Sequence, residues 1–374
     1  MAQRNLYIDR LRTVMTALVI LHHTAITYGA IGGWFWHELS PSGAPSSQLL
    51  ILFCTTNQAY FMGFFFLLAG YFTPASLERK GYAQFIGDRF LRLGLPLLAF
   101  GLILGPLTAA IVNFAQGNGF WSCIAWLWQH MEFINGPLWF TQTLLIFILI
   151  YCAWRALAGA PLAQSQRVPR PVPTRRWWLL SALATGIAAL AIRQFMPVGQ
   201  NVLGMQLGYF ATYIVLFAVG IAAWRFDWLC QLSWKNARTG IIAFVIAWPC
   251  MPIGIAVAHA LYGPGKSNFG GGLSWTAILY AIWDPFVAWG LIAVWLLVFR
   301  ARMNRPSTFW TWLNRRAYAV YIIHPPVLVG VSLLLHGWVA PALVKFGVVG
   351  LLACAATWLV ADPLVRLPGV RRVV

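Results

Sequence analysis

Acidic side chains are few in this chain. Asp and Glu number 8 among 374 residues, against 26 Lys and Arg, and all charged residues together make up 9%. Hydrophobic residues make up 60%, so there is too little charge to clothe an ordinary soluble domain. Several motifs are also missing: no Gly-x-Ser-x-Gly elbow, no Walker loop and no Gly-x-Gly-x-x-Gly fingerprint. These absences argue against a serine-elbow hydrolase and against a nucleotide-binding βα unit. Cys54, Cys123, Cys152, Cys230, Cys250 and Cys354 lack metal-like spacing, so no metal site is expected and they read as small core residues. The first apolar run is too long, and lacks the small-residue site, for a cleavable signal peptide.

Long apolar runs dominate instead. Mean hydropathy is +0.72, and 21 Trp suit a protein with membrane interfaces. Ten runs near the ~20 residues needed to cross hydrocarbon are read at about 11–31, 49–72, 90–113, 138–158, 177–193, 204–224, 238–258, 273–299, 317–336 and 339–361. The expectation is an all-α integral membrane bundle of about ten transmembrane helices. Basic residues collect on alternate connections, and only Arg193, Lys266 and Lys345 of the 26 fall on the other side. That asymmetry predicts both termini in the cytoplasm, with loops 32–48 and 114–137 outside. It also reads the net charge of +18 as orientation and attraction to anionic membrane lipids, with no nucleic-acid partner. The Pro- and Arg-rich stretch 159–176 reads as a cytoplasmic linker inside one membrane domain spanning 1–374.

Five features in these runs carry polar chemistry. Arg12 and His23 lie 11 residues apart, three turns plus about 20°, so with Asp9 and Thr16 they form a polar stripe on one face of the first helix. A histidine at that depth suits a general base, and a charge anchor with an interfacial histidine is the plainer alternative. Arg89 and Arg92, three apart, present two guanidinium forks suited to phosphate or carboxylate. Gly94 and Pro96 just after them predict an irregular helix entry. Tyr321 and His324 precede Pro325-Pro326, which predicts a disrupted ninth helix, either as a functional site or as a kink with His324 bonding a freed carbonyl. Asp284 lies mid-span before Pro285, where it must be protonated, paired or facing water, either as a structural partner for a histidine or Arg193 or in a proton-handling role. Trp139 and Phe140, opening the fourth span, read as an interfacial belt or a stacking platform for a sugar. Intramembrane His and Asp with Pro-broken helices also suit a proton-coupled exporter, for which inverted repeats would be expected and none is evident.

These residues resemble the acyltransferase 3 family of polytopic membrane acyltransferases. The likeness rests on Arg12-x10-His23, FFFLLAGYF (64–72) followed by Arg89-x-x-Arg92 and Pro96, PLWF (137–140), and YAVYIIHPP (318–326). The opening YIDRLR looks most like the branch that modifies osmoregulated periplasmic glucans. The resemblance implies a multi-pass enzyme of the inner membrane, with acyl-CoA as co-substrate and no bound cofactor. The acyl group would be carried to a hydroxyl of an extracytoplasmic carbohydrate. It also implies His23 as catalytic base with Arg12 as its partner, Arg89 and Arg92 on the donor side, and less-defined positions for Asp9 and His324. The soluble hydrolase-like domain that many relatives carry is not seen.

Overall fold

The computed structural model describes residues 5–159, 167–263 and 265–373. Arg4, part of the expected linker (160–166) and Pro264 lie outside the described residues. Among the described residues there is no β-strand, and the helices run in the order α1 Leu6–Thr27, α2 Pro45–Arg89, α3 Leu95–Ala99, α4 Gly105–Ala115, α5 Phe120–Gln129, α6 Trp139–Leu157, α7 Arg175–Phe195, α8 Phe210–Arg225, α9 Trp228–Gln231, α10 Trp234–Ala247, α11 Cys250–Tyr262, α12 Trp275–Arg302, α13 Thr308–Leu334, α14 Ala342–Leu364 and α15 Pro368–Val373.

Eight helical stretches among the described residues are long and apolar enough to cross a membrane, where the hydropathy pattern predicts ten. The difference has two sources. The helical run from Pro45 to Ala115 counts once, although its 71 residues contain both the second and third expected spans. At 1.5 Å per residue such a run would extend roughly 100 Å, against about 30 Å of hydrocarbon. It is broken at Gly81, whose φ of 71° and ψ of 168° are not helical. The other source is α1, a 22-residue helix whose Asp9, Arg10 and Arg12 lower its mean hydropathy. The ninth expected span also starts earlier than the pattern suggests: α13 opens at Thr308, where Ser307 Oγ caps the Trp310 amide, so Arg315 and Arg316 are inside the helix.

The chain forms two compact units. One comprises Met1–Asn57, Arg89–Thr143 and Met303–Val374. Its core joins α1, α13 and α14 through Ile20, Ala25, Val320, Leu328, Val349 and Ala353. Lys345, at the start of α14, pairs with Glu38, and the Arg316 guanidinium binds Asp362 and lies 4.4 Å from the Trp312 ring. The other unit comprises Gln58–Asp88 and Leu144–Arg302. There α2 and α8 cross in backbone contact: a Cβ on Gly70 would sit 2.2 Å from the Phe217 carbonyl, and one on Gly220 would sit 2.1 Å from that of Leu67. Small residues at such a crossing let two helices approach where lipid supplies no hydrophobic drive between them.

That second unit also holds a deeply buried ion pair. Arg193 and Asp284 are 1% and 2% exposed, with Nη2 2.7 Å from Oδ2, and Arg193 Nε donates to the Gly208 carbonyl at 3.0 Å. The Tyr280 and Tyr209 rings lie 4.6 and 5.4 Å from the guanidinium carbon. Removing one partner of such a pair leaves a buried charge uncompensated, at a cost of about 3–5 kcal/mol. Asp284→Ala is therefore expected to lower the melting temperature in detergent sharply. Arg193→Met combined with Asp284→Leu should recover most of the loss. An Asp284→Ala protein that melts with the parent would show that the pair does not hold this unit together.

Candidate active site

Proline drives the local geometry of the first unit. A proline has no amide hydrogen, so the carbonyl four residues earlier loses its regular helical partner. Pro96 does this to Arg92, and the backbone winds into a π turn over Phe90–Gly94, the irregular entry expected from Gly94 and Pro96. The Arg92 carbonyl accepts the Tyr318 hydroxyl of α13 instead. Pro106 does the same to Leu102 beside a second π turn, Phe100–Leu104, and Trp128 Nε1 donates to that carbonyl at 2.9 Å. Single π turns inserted in α-helices recur at functional sites.

Around His324 the expected disruption does not occur. Helix α13 runs unbroken from Thr308 to Leu334 with Pro325 and Pro326 inside it. Pro325 releases the Tyr321 carbonyl, and His324 Nδ1 occupies it at 2.7 Å. A side chain thus restores the lost bond, which is how prolines persist in membrane helices. The other ring nitrogen, His324 Nε2, lies 3.3 Å from His23 Nδ1 on α1. The two imidazoles are nearly parallel, with centroids 5.3 Å apart. His324 is fully buried, and His23 is half-buried.

A file of rings leads away from this pair. Tyr321 lies 6.0 Å from His324, and its hydroxyl donates to the Pro137 carbonyl in the 3-10 turn Gly136–Leu138. Tyr318 stacks parallel to Tyr321 at 6.4 Å. Arg12 and Arg92 both lie near enough to the Tyr318 hydroxyl to act on it electrostatically. Hydrogen bonds and ring contacts thus connect the Arg92 carbonyl, Tyr318, Tyr321, His324 and His23 within the first unit, and the Arg12 charge acts on the Tyr318 end. Asp9 sits one turn before Arg12 on α1. Arg89 ends α2, and Arg92 lies inside the π turn that follows it. Trp139 is at one remove: its ring lies 6.5 Å from Phe140, which packs edge-on against Tyr321. Asp284 belongs to the other unit, where its partner is Arg193 and not a histidine of this line.

Two members were not singled out from the pattern. Trp34, in the connection after α1, stacks on His23 at 3.9 Å and parallel to His324 at 5.9 Å. The available signal was the aromatic cluster Trp34-Phe35-Trp36 in an otherwise Gly- and Ser-rich loop. Tyr318 was visible only as part of the YAVYIIHPP run. His22, adjacent to His23, is turned elsewhere; its ring meets His23 edge-on, and its carbonyl accepts from Cys54 Sγ at 3.5 Å.

The arrangement combines a basic end, an aromatic path and a pair of neutral-capable imidazoles, which suits proton transfer beside a bound anion. Comparison with known proteins adds one finding: a family model described as an acyltransferase domain matches residues 5–362. No curated protein and no solved structure matches the chain.

Proposed function

The chain belongs to the acyltransferase 3 family and is a multi-pass membrane acyltransferase, and on that premise we propose that His23 is the base that activates the acceptor. The reaction is R–CO–S–R′ + R″–OH → R–CO–O–R″ + R′–SH. His23 takes the acceptor's hydroxyl proton as its oxygen attacks the thioester carbonyl. The C–S bond breaks, and the protonated imidazole returns the proton to the leaving thiolate. General-base assistance of this kind is worth roughly 10²–10⁴-fold.

The observation that carries this reading is the line from Arg12 and Arg92 through Tyr318 and Tyr321 to His23. Arg12 and His23 are 11 residues apart on α1, about 16 Å along its axis. The phosphopantetheine arm of an acyl-CoA has about 13 bonds between phosphorus and sulfur and, extended like a peptide backbone, reaches roughly 15 Å. With its phosphates at Arg12, Arg89 and Arg92, the donor delivers its thioester to His23. Asp9 orients the Arg12 end, and Trp139 with Phe140 supports the Tyr321 wall. Acyl-CoA is thus a co-substrate, and the reading invokes no bound cofactor.

The basic residues on alternate connections support cytoplasmic termini, and α1 together with the divided Pro45–Ala115 run supports ten spans in one acyltransferase domain. The enzyme then sits in the inner membrane, with its donor end in the cytoplasm and its acceptor outside. The acceptor is a hydroxyl of an extracytoplasmic glycan, and the YIDRLR opening supports a periplasmic glucan. O-acetylation is the simplest such modification.

Mass spectrometry of envelope glycans from cells with and without the gene tests the class directly. The parent and His22→Ala should add an acyl mass to a glycan, while His23→Ala inserts at a normal level and leaves the glycan unmodified. Glycans identical with and without the gene, together with release of a metabolite that collapses with the proton gradient, would favour the exporter reading instead.

Purified Arg12→Lys and Arg92→Lys proteins test the donor end. Lysine keeps the charge but loses the planar fork, so the KM for acyl-CoA should rise about 10-fold with kcat nearly unchanged. An unchanged KM in both would confine these arginines to anchoring the helices.

Orientation is tested by thiol labelling in a cysteine-free background. Gly43 and Arg170 are both exposed. Cysteines at Gly43 and Arg170 should react with an impermeant reagent from opposite faces. Reaction from one face would refute the ten-span arrangement.

A further inference from the structure

The His23 of the proposed reaction needs a particular tautomer, and the structure contains a device that selects it. We infer that His324 is a positioning residue that holds the His23 proton on Nδ1 and so presents Nε2 to the acceptor. The inference rests on the proposed role of His23 as base.

The hydrogen bonds have a forced direction. A carbonyl oxygen can only accept, so at 2.7 Å from the Tyr321 oxygen His324 Nδ1 must be the donor. A neutral imidazole has one N–H, so His324 Nε2 then carries a lone pair and must accept. Its neighbour at 3.3 Å, His23 Nδ1, is therefore the donor. That assigns the His23 proton to Nδ1 and leaves its Nε2 as the basic nitrogen.

The origin of the chain is a backbone defect. Without Pro325 the Tyr321 carbonyl would accept from residue 325, and His324 would lose the acceptor that sets its own tautomer. Burial adds rigidity, because His324 has no exposed surface. Trp34 lies flat against His23 at 3.9 Å with an interplanar angle of 15°, so the ring cannot turn over without displacing the indole. When His23 gains a proton on Nε2, its Nδ1–H bond to His324 becomes charge-assisted and shorter, which stabilises the cation formed during the reaction. A base held by a third group follows the same logic as the familiar catalytic triads, with a neutral histidine in place of the carboxylate.

Two variants and one spectroscopic measurement test this. Pro325→Ala restores a backbone donor to Tyr321 and should leave the protein at least as heat-stable, since alanine is the better helix former. Its kcat should nevertheless fall by about 10-fold or more, with the KM for acyl-CoA unchanged. His324→Phe should lose about 10²-fold or more in kcat, by analogy with loss of the correct tautomer in triads. His324→Gln, which retains an acceptor for His23, should recover part of that loss. Solid-state NMR with ¹⁵N-histidine should show His23 protonated at Nδ1 in the parent and a mixture of tautomers in Pro325→Ala. A parent His23 protonated at Nε2 would overturn the inference while leaving His23 as a base in some other arrangement. Unchanged kcat and tautomer in Pro325→Ala would overturn it as well. Failure of the base reading itself would appear separately, as full activity in His23→Ala.

Discussion

A carbonyl that has lost its helical amide inside a membrane must find another donor, because no bulk water is there to supply one. Much of the candidate site follows from that requirement. Pro96, Pro106 and Pro325 each free a carbonyl in the first unit, and Tyr318, Trp128 and His324 fill the gaps. In the second unit Pro252 frees the Trp248 carbonyl, and Trp283 Nε1 lies 3.3 Å from it. Each substitute donor is a ring on a long side chain, drawn to a fixed point by a backbone it must satisfy. Two of the four, Tyr318 and His324, stand on the line that joins Arg12 and Arg92 to His23. The prolines thus position chemistry without breaking α13.

Scarce acidity complements this arrangement. With 8 carboxylates against 26 basic residues, three of the carboxylates pair with cations that lie inside the protein. Asp284 neutralises Arg193, Glu38 neutralises Lys345, and Asp362 bonds Arg316. The first two of those cations come from the three basic residues that the charge pattern assigns to the outer side. Burying them inside the protein removes their cost to the membrane. The line itself is held together by phenol, imidazole and indole rings, whose contacts survive a low dielectric without any net charge. In such surroundings the proposed base would depend on tautomer and geometry, which a neutral histidine can set.

The line also sets neighbouring residues in different surroundings. His22 and His23 are equally polar and equally deep, yet one residue of helix turns the side chain by about 100°. His23 reaches His324 and Trp34, while the His22 ring meets that of His23 edge-on. Arg89 closes α2, whereas the Arg92 carbonyl lies inside the π turn and accepts the Tyr318 hydroxyl.

The sequence alone determined the all-helical membrane class, the positions of most apolar spans, the family resemblance and the shared face of Arg12 and His23. Each of these is a local property, set by hydropathy over about 20 residues or by helical rotation along one segment. Even the occupancy of the Tyr321 carbonyl by His324 was legible as one of two readings, because donor and acceptor lie three residues apart. The tertiary structure decided the rest: that His324 also meets His23 some 300 residues away, that Tyr318 joins the arginines to the histidines, that Trp34 covers the pair, and that Asp284 belongs to Arg193. Sequence reasoning could not reach these contacts because lipid-facing and helix-facing sides of a membrane helix are both apolar, so the pattern that reveals a span does not reveal which span lies beside it.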